Sequence, residues 1–568
     1  MLKTQAYLGI KQSGNYFELA LLNTKAKKPV RDKAEDIFSW ITKNTKNIKI
    51  VGAGINVLNF KPLASRLWLE ADISPFIFKG SSEDAAYFAK DQFEEDGSFD
   101  SKLGDKNQVI SPFLCDLQAY EKVADSRQFD TLIKLAKQFK NKKIIYISAT
   151  PQGGGVALMR HSLMRLYREL GVSASWHVTL EDPEIFKITK NKFHNILQDV
   201  AEASVSLDDE DKKLLDAWSL KNYKMLAPAI SKADVIVIDD PQPSGLVPFI
   251  RRDFPGKPIV YRSHIHLVAE LADKADTAQN TTWKYIWNKI KSADLFIAHP
   301  RPQFVPGDIA RNKLLYQGAA IDRLDGLNKP LSKDQISYYI SVFNKMLVEE
   351  QQTPLDVHRD FIVQLARFDP SKGIVDLLEA YRILRENLTS TESPQLVIAG
   401  NGSIDDPDGV PIYQMIRGLL ETSEYKDIAS DIKVLRIKHM DQILDTLFQE
   451  AKVALQLSHK EGFEDKVTGA LLKSKPVIVS KTGGIPLQVA ENKNGFLVEP
   501  GDTHKTAYFL EKLIKNQDIY EKMSKNAIKY ANSHVNEVAG ACFWLYIARE
   551  LLKGNFKPNG AYIGDLVF

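Results

Sequence analysis

Cysteine is almost absent from this chain: Cys115 and Cys542 are the only two in 568 residues. Two thiols so far apart support neither a disulfide framework nor an all-cysteine zinc site. Their scarcity fits a reducing compartment, and each is expected as a small buried residue rather than a nucleophile. Net charge is nearly absent too, since 75 Lys and Arg against 72 Asp and Glu leave +3. No global field then draws the chain to nucleic acid or to an anionic membrane. The basic runs at 25–28 and 140–143 read as solvated surface. No stretch of about 18 apolar residues occurs, so no membrane span is expected. Residues 1–9 lack the apolar core of a secretory leader, and the expectation is a soluble cytoplasmic protein. Iron–sulfur, zinc, catalytic-triad and Walker patterns are missing as well.

What is present is ordinary globular material, 44% hydrophobic and 26% charged, enough for roughly three or four domain-sized units. Residues 1–140 read as an extension that is partly β. Segments 6–11 and 16–22 flank Gln12-Ser-Gly-Asn15 as a hairpin would. A short strand at 47–51 runs into Gly52-Ala-Gly54, a weak dinucleotide-like signal because no amphipathic helix follows at once. Residues 90–107 are polar and acidic and read as a loop.

From residue 141 the pattern becomes regular. Strands are expected at 144–149, 176–180, 234–238, 258–264 and 294–298, with helices between them. The helix after Gly155 shows a stripe of Val156, Met159, Leu163, Leu166 and Leu170 at helical spacing. Residues 325–358 are polar, read as helical in part, and are taken as the connection between domains. A second alternating set follows, with strands at 361–368, 395–399, 432–437, 453–457, 476–480 and 495–498. Alternation of strand and helix predicts two doubly wound, Rossmann-like α/β domains with parallel sheets, facing each other across a cleft. Ligands of such sheets bind at the carboxyl ends of the strands. The expected division is 1–140 for the extension, 141–345 and 346–520 for the two sheet domains, and 521–568 for C-terminal helices packing back on the first.

Four constellations fall at strand ends. Gly153, Gly154 and Gly155 precede a helix, where free N–H groups and the positive end of the dipole suit an anion; a tight turn chosen for packing is the alternative. Arg367 and Lys372, in Gln364-Leu-Ala-Arg-Phe-Asp-Pro-Ser-Lys-Gly373, set a planar fork and a point charge beside a helix start, which suits phosphate. Ser458-His-Lys-Glu-Gly-Phe-Glu464 offers Glu461 to sugar hydroxyls and the Gly462 and Phe463 amides to an anion. Downstream, Gly483-Gly-Ile-Pro486 adds another glycine turn that packing alone does not readily explain. Tyr261-Arg-Ser-His-Ile-His266 places His264 where it could donate to a sugar oxygen or be a satisfied structural residue. Asp239 and Asp240, with Gln242, could bind hydroxyls or cap the next segment.

These motifs resemble the retaining glycosyltransferases of the sucrose- and trehalose-synthase type, and most closely the retaining trehalose phosphorylases. The matching stretches also include Phe193-His-Asn-Ile-Leu-Gln198, Trp283-Lys-Tyr-Ile-Trp-Asn288 and Leu324-Asp-Gly-Leu-Asn-Lys329, in order along residues 140–505. The resemblance implies a GT-B fold and the reversible reaction of trehalose and phosphate to glucose and α-glucose 1-phosphate. It implies that Arg367 and Lys372 hold the phosphate, helped by Gly153, Gly154, Gly155, Gly462 and Phe463. Glu461 would bind the transferred glucose, His264 would lie near its anomeric carbon, Arg262 would also bind sugar, and Asp240 and Gln242 would meet the acceptor glucose. No metal and no cofactor are implied, phosphate being a substrate, and a homodimer is left open.

Two positions depart from the family pattern. Gly469 stands where relatives carry a second Glu, which in nucleotide-sugar enzymes grips the ribose. His266 stands where relatives tend to carry an acid. The alternatives are a nucleotide-glucose-dependent trehalose synthase and a weakly active or inactive sugar-binding relative.

Overall fold

The computed structural model describes residues 3–389, 392–402 and 408–568. Three sheets organise the chain. The N-terminal one is mixed and five-stranded, in the spatial order Val30–Ala34, Tyr16–Asn23, Thr4–Ser13, Ile48–Asn56, Ser74–Ile77. Thr4–Ser13 and Tyr16–Asn23 form the expected hairpin, paired antiparallel from Ser13 with Tyr16 to Ala6 with Asn23. Gly52 and Gly54 lie inside Ile48–Asn56 rather than at its end. A Cβ on Gly54 would stand 2.0 Å from Ala85 O, so this glycine admits a helix and is no phosphate turn.

The second sheet has seven strands, all pairs parallel: Lys143–Ser148 lies between Ser173–Val178 and Val235–Asp239, followed by Ile259–Arg262, Leu295–Ala298, Leu314–Tyr316 and Ala561–Tyr562. The last two strands are too short to carry a period in the sequence. The third sheet has six parallel strands in the order Ile432–Ile437, Gln395–Asn401, Phe361–Leu365, Val453–Gln456, Val477–Ser480, Gly495–Val498. Their near-continuous Val, Ile and Leu content follows from burial on both faces. Separate apolar clusters fill the two sides of each of these sheets.

One connection agrees with the sequence reading and one differs from it. The polar stretch 325–358, expected to be partly helical, holds the helix Lys333–Glu349, where Ser332 Oγ accepts from the Gln335 N–H and the Ser332 N–H donates to Gln335 Oε1. Its Tyr338, Tyr339, Phe343 and Leu347 enter the core of the third sheet. Helix Gln517–Lys529 also stays with that lobe, and the chain crosses back only with Glu537–Lys553, whose Trp544 meets Tyr146 edge-on at 5.4 Å. Among the described residues no helix is long and apolar enough to cross a membrane.

Candidate active site

The cleft between the two parallel-sheet lobes holds a cavity of about 190 Å³. Gly154, Gly155, Asp240, Gln242 and His264 line it from one lobe, and Arg367, Lys372, Glu461, Gly462 and Phe463 from the other. Both sets come from carboxyl ends of strands, where parallel sheets leave their loops.

On the second lobe, strand Phe361–Leu365 ends just before Arg367, and Asp369 organises the turn. Its Oδ1 accepts from the Ser371 N–H at 2.8 Å and from Ser371 Oγ at 2.6 Å. Lys372 is buried and sits between two carboxylates, bonded to Glu461 Oε2 and, at 2.9 Å, to Glu464 Oε2. Burial pushes Glu461 up to about 7 against the pull of Lys372. Glu464 is held low because Lys372 and Lys466 outweigh its own burial. Glu464 also caps helix Asp465–Leu472 through the Lys466 N–H, so its role is to seat Lys372 and that helix.

On the first lobe, Gly154 caps helix Gly155–Glu169 without a side-chain bond, and a Cβ there would meet nothing within 4 Å. The glycine is therefore not demanded by packing, and the open N–H groups face the cavity end of a helix dipole. Gly153 lines a neighbouring chamber instead. His264 is set by two aspartates: its backbone N–H donates to Asp240 Oδ1 at 2.7 Å and its ring Nε2 lies 3.0 Å from Asp239 Oδ1. Asp240 takes the left-handed backbone at φ 65° to do so. Asp239 receives a two-bond fork from Arg160, at 2.7 and 2.6 Å. Arg160 in turn lies between the Tyr146 and Trp544 rings, 4.4 and 4.7 Å from their centroids. Burial, with Arg262 nearby, brings His264 down to about 4, so the imidazole is neutral. With Asp239 held far below the carboxylate range once Arg160 and His264 overcome its burial, Nε2 carries the ring proton toward Asp239. The expectation that the ring donates to sugar is therefore not met, because Nδ1, the nitrogen left to a ligand, carries no proton in this tautomer and accepts.

The sequence expectations for Arg262 and Gly483 change, and the contacts of His266 and Gly469 become visible. Arg262 is buried, does not line this cavity, and bonds His299 through Nη2 at 3.2 Å beside a separate space of about 30 Å³. His266 is likewise not on the cavity wall: its Nδ1 accepts the Glu461 N–H at 3.2 Å and its ring rests on Phe304, so it shapes the Glu461 loop. The turn at Gly483 is explained by packing after all, since a Cβ there would stand 1.6 Å from Glu461 O. A Cβ on Gly469 would come 3.1 Å from Asn328 Oδ1, a side-chain atom.

The lobes approach closely. A Cβ on Gly462 would lie 2.1 Å from His264 O, and Phe463 stacks on His299 with centroids 5.7 Å apart. Arg160, Asp369 and Lys190 belong to the hydrogen-bond networks around the site although nothing in the sequence reading singles them out. Asp239, expected to bind hydroxyls or cap a segment, orients His264 instead. A charged residue on the buried stripe of the 155–169 helix was the legible signal for Arg160. Lys190 carried none. A second chamber of about 300 Å³ shares Arg367, Lys372, Glu461 and Phe463 and is walled by Trp68, Phe76, Phe93 and Phe99 of the N-terminal module. Segment 96–101, inside the loop expected at 90–107, spans it: the Phe99 N–H donates to His439 O at 3.1 Å and the Ser101 N–H to Gln152 Oε1 at 2.6 Å.

Comparison with known proteins agrees with this architecture. The family model "Trehalose synthase, N-terminal domain" matches residues 146–306, and "Glycosyl transferases group 1" matches 347–530. Trehalose synthase of Thermococcus litoralis is 31% identical over 415 residues, 72% of this chain and 91% of that protein. The chain belongs to the trehalose synthase family of glycosyltransferases. Within this family, trehalose phosphorylase of Pleurotus pulmonarius is 42% identical over 489 residues, 82% of this chain. The chain spans about two thirds, 66%, of the length of that phosphorylase. Among solved structures, sucrose-phosphate synthase of Thermosynechococcus elongatus aligns with a TM-score of 0.51 at 18% identity, covering 73% of this chain and all of the other. A UDP-forming trehalose-phosphate synthase of Burkholderia xenovorans aligns with 0.53 at 14%, covering 72% of this chain and 100% of the other. These likenesses establish the GT-B fold. The N-terminal module lies outside both family models.

Proposed function

We propose that this chain is a retaining trehalose phosphorylase, converting trehalose and phosphate reversibly to glucose and α-glucose 1-phosphate. The observation that carries the reading is one cavity in which Arg367, Lys372 and the 154–155 helix start face His264, Asp240 and Gln242. A phosphate held on the first set lies beside a glucosyl unit held on the second. The glycosidic C1–O bond of trehalose breaks as a phosphate oxygen bonds C1 on the same face, and the phosphate proton passes to the departing glucose oxygen. The transition state has oxocarbenium character, and phosphate itself sits next to that positive charge. Arg367 and Lys372 act by positioning and by charge, the two effects that contribute most to such catalysis. Glu461 receives hydroxyls of the transferred glucose, while Asp240 and Gln242 receive those of the acceptor.

The chemistry uses no cofactor in this reading, and the two buried free thiols fit a cytoplasmic enzyme. Gly469 supports phosphate over a nucleotide, because it offers no carboxylate where nucleotide-sugar relatives grip the ribose. A nucleotide-glucose-dependent trehalose synthase is the second reading, favoured by the likeness to the Thermococcus protein. Incubation of the purified chain with trehalose and inorganic phosphate is expected to release α-glucose 1-phosphate. No product from that mixture, with trehalose formed instead from a nucleotide-glucose donor and glucose, would overturn the reading.

A further inference from the structure

Lys190 reaches across the cleft. It lies in the turn Thr189–His194, where the helix widens to π geometry, an arrangement found mostly at functional sites. Its Nζ is 2.5 Å from Asp369 Oδ2, and both residues are buried on the wall of the active-site cavity. The two belong to opposite lobes, so this ion pair exists only when the lobes are together.

Asp369 is the hub of the phosphate turn. One oxygen binds Ser371, the residue before Lys372; the other faces Lys190 and lies 4.0 Å from Arg367 Nη2. A carboxylate that close to Arg367 offsets the charge meant for an incoming phosphate, since attraction and repulsion at such range in a poorly solvated site are strong. Lys190 answers that carboxylate from the far side of the cleft. A purely structural tie at this place would not need charge, because a buried ion pair loses to desolvation what it gains by attraction and is often replaceable by apolar side chains.

We propose, resting on the phosphorylase reading, that Lys190 is a positioning residue for phosphate: by pairing with Asp369 it holds the 367–372 turn in its binding form and keeps Asp369 from cancelling Arg367. Phosphate affinity is thereby tied to closure of the lobes. Trehalose recognition, built on Asp240, Gln242 and Glu461, does not use this ion pair.

The test compares wild type with Lys190→Met, Lys190→Arg, Asp369→Asn and the double variant Lys190→Met/Asp369→Asn, all checked for an unchanged fold by circular dichroism. Lys190→Met is expected to raise KM for phosphate by about tenfold or more, with KM for trehalose changed by less than about threefold. Lys190→Arg restores most of the phosphate affinity. The double variant binds phosphate better than Lys190→Met, because the charge that Lys190 answers has gone; a structural tie would show no such recovery. Equal losses toward both substrates, or a double variant no better than Lys190→Met, would overturn the proposal. A wild-type chain inactive on trehalose and phosphate would end the phosphorylase reading instead. Titration of inorganic phosphate by thermal shift, wild type against Lys190→Met, then decides the role of Lys190, and equal affinities would refute it.

Discussion

Asp239 Oδ1 lies 3.0 Å from His264 Nε2, with both side chains buried and the same carboxylate forked by Arg160. The pair fixes which nitrogen of the imidazole carries its proton and which way the ring faces. Asp239→Asn keeps the shape but loses the charge that holds this tautomer. Its kcat is expected to fall on the order of 100-fold, as misorientation of a reacting group does, with a smaller change in KM. Steady-state kinetics in the direction of phosphorolysis would show it.

Arg160→Met leaves Asp239 charged in a pocket where burial disfavours the charge. Removing one partner of a buried pair costs about 3–5 kcal/mol, and the Tyr146 and Trp544 rings lose their cation as well. Urea unfolding is expected to show the first lobe destabilised by that order. A loss below about 1 kcal/mol, the scale of an exposed ion pair, would mean that water replaces the guanidinium.

Arg367→Ala and Lys372→Ala remove the charges on which phosphate rests. Each is expected to lower kcat by about 10² to 10³, the usual effect of deleting one transition-state charge contact, and to raise the phosphate requirement sharply. Circular dichroism should remain that of wild type. Unchanged kinetics for Arg367→Ala would remove that residue from the site.

Gly462→Ala tests how closely the lobes meet. The added Cβ would stand 2.1 Å from His264 O, a backbone atom that cannot swing aside. Activity is expected to be lost while each lobe keeps its secondary structure, and small-angle scattering should report a wider molecule. Retained activity would show that the cleft closes differently.

Glu461 carries the pH dependence of this region. Burial raises its folded value from 4.5 to about 7, so between those values the folded chain binds more protons than the unfolded one. Stability from this group is therefore full below about 4.5 and lost as pH rises through about 7. Glu461→Gln should flatten that decline, seen as a smaller difference in urea midpoint between about pH 5 and pH 7.5. Asp239, whose value is depressed, acts in the opposite sense and loses its contribution as pH falls below 3.8.

Much was legible in the residues alone because the signals are local. The regular strands of 141–520 announced themselves as apolar runs between turn residues, and strand ends named where ligands gather. Arg367, Lys372 and Glu461 lie within the loops that follow such strands, and the structure brings them to one cavity. Lys190, Arg160 and Asp369 escaped assignment because their meaning depends on a partner far away in the chain. Likewise Gly483 reads as a ligand turn until the Glu461 backbone that it admits is known.

The alternation of strand and helix, then, determined two parallel-sheet lobes and the rim on which a site must lie, since hydrophobic period and backbone geometry act over a few residues. Tertiary structure alone decided how the rims meet: that Gly462 seats on His264 O, that Lys190 pairs with Asp369, and that the N-terminal module walls a second chamber. Those contacts join residues dozens to hundreds of positions apart, and their energy appears only when the lobes close and water leaves the cleft.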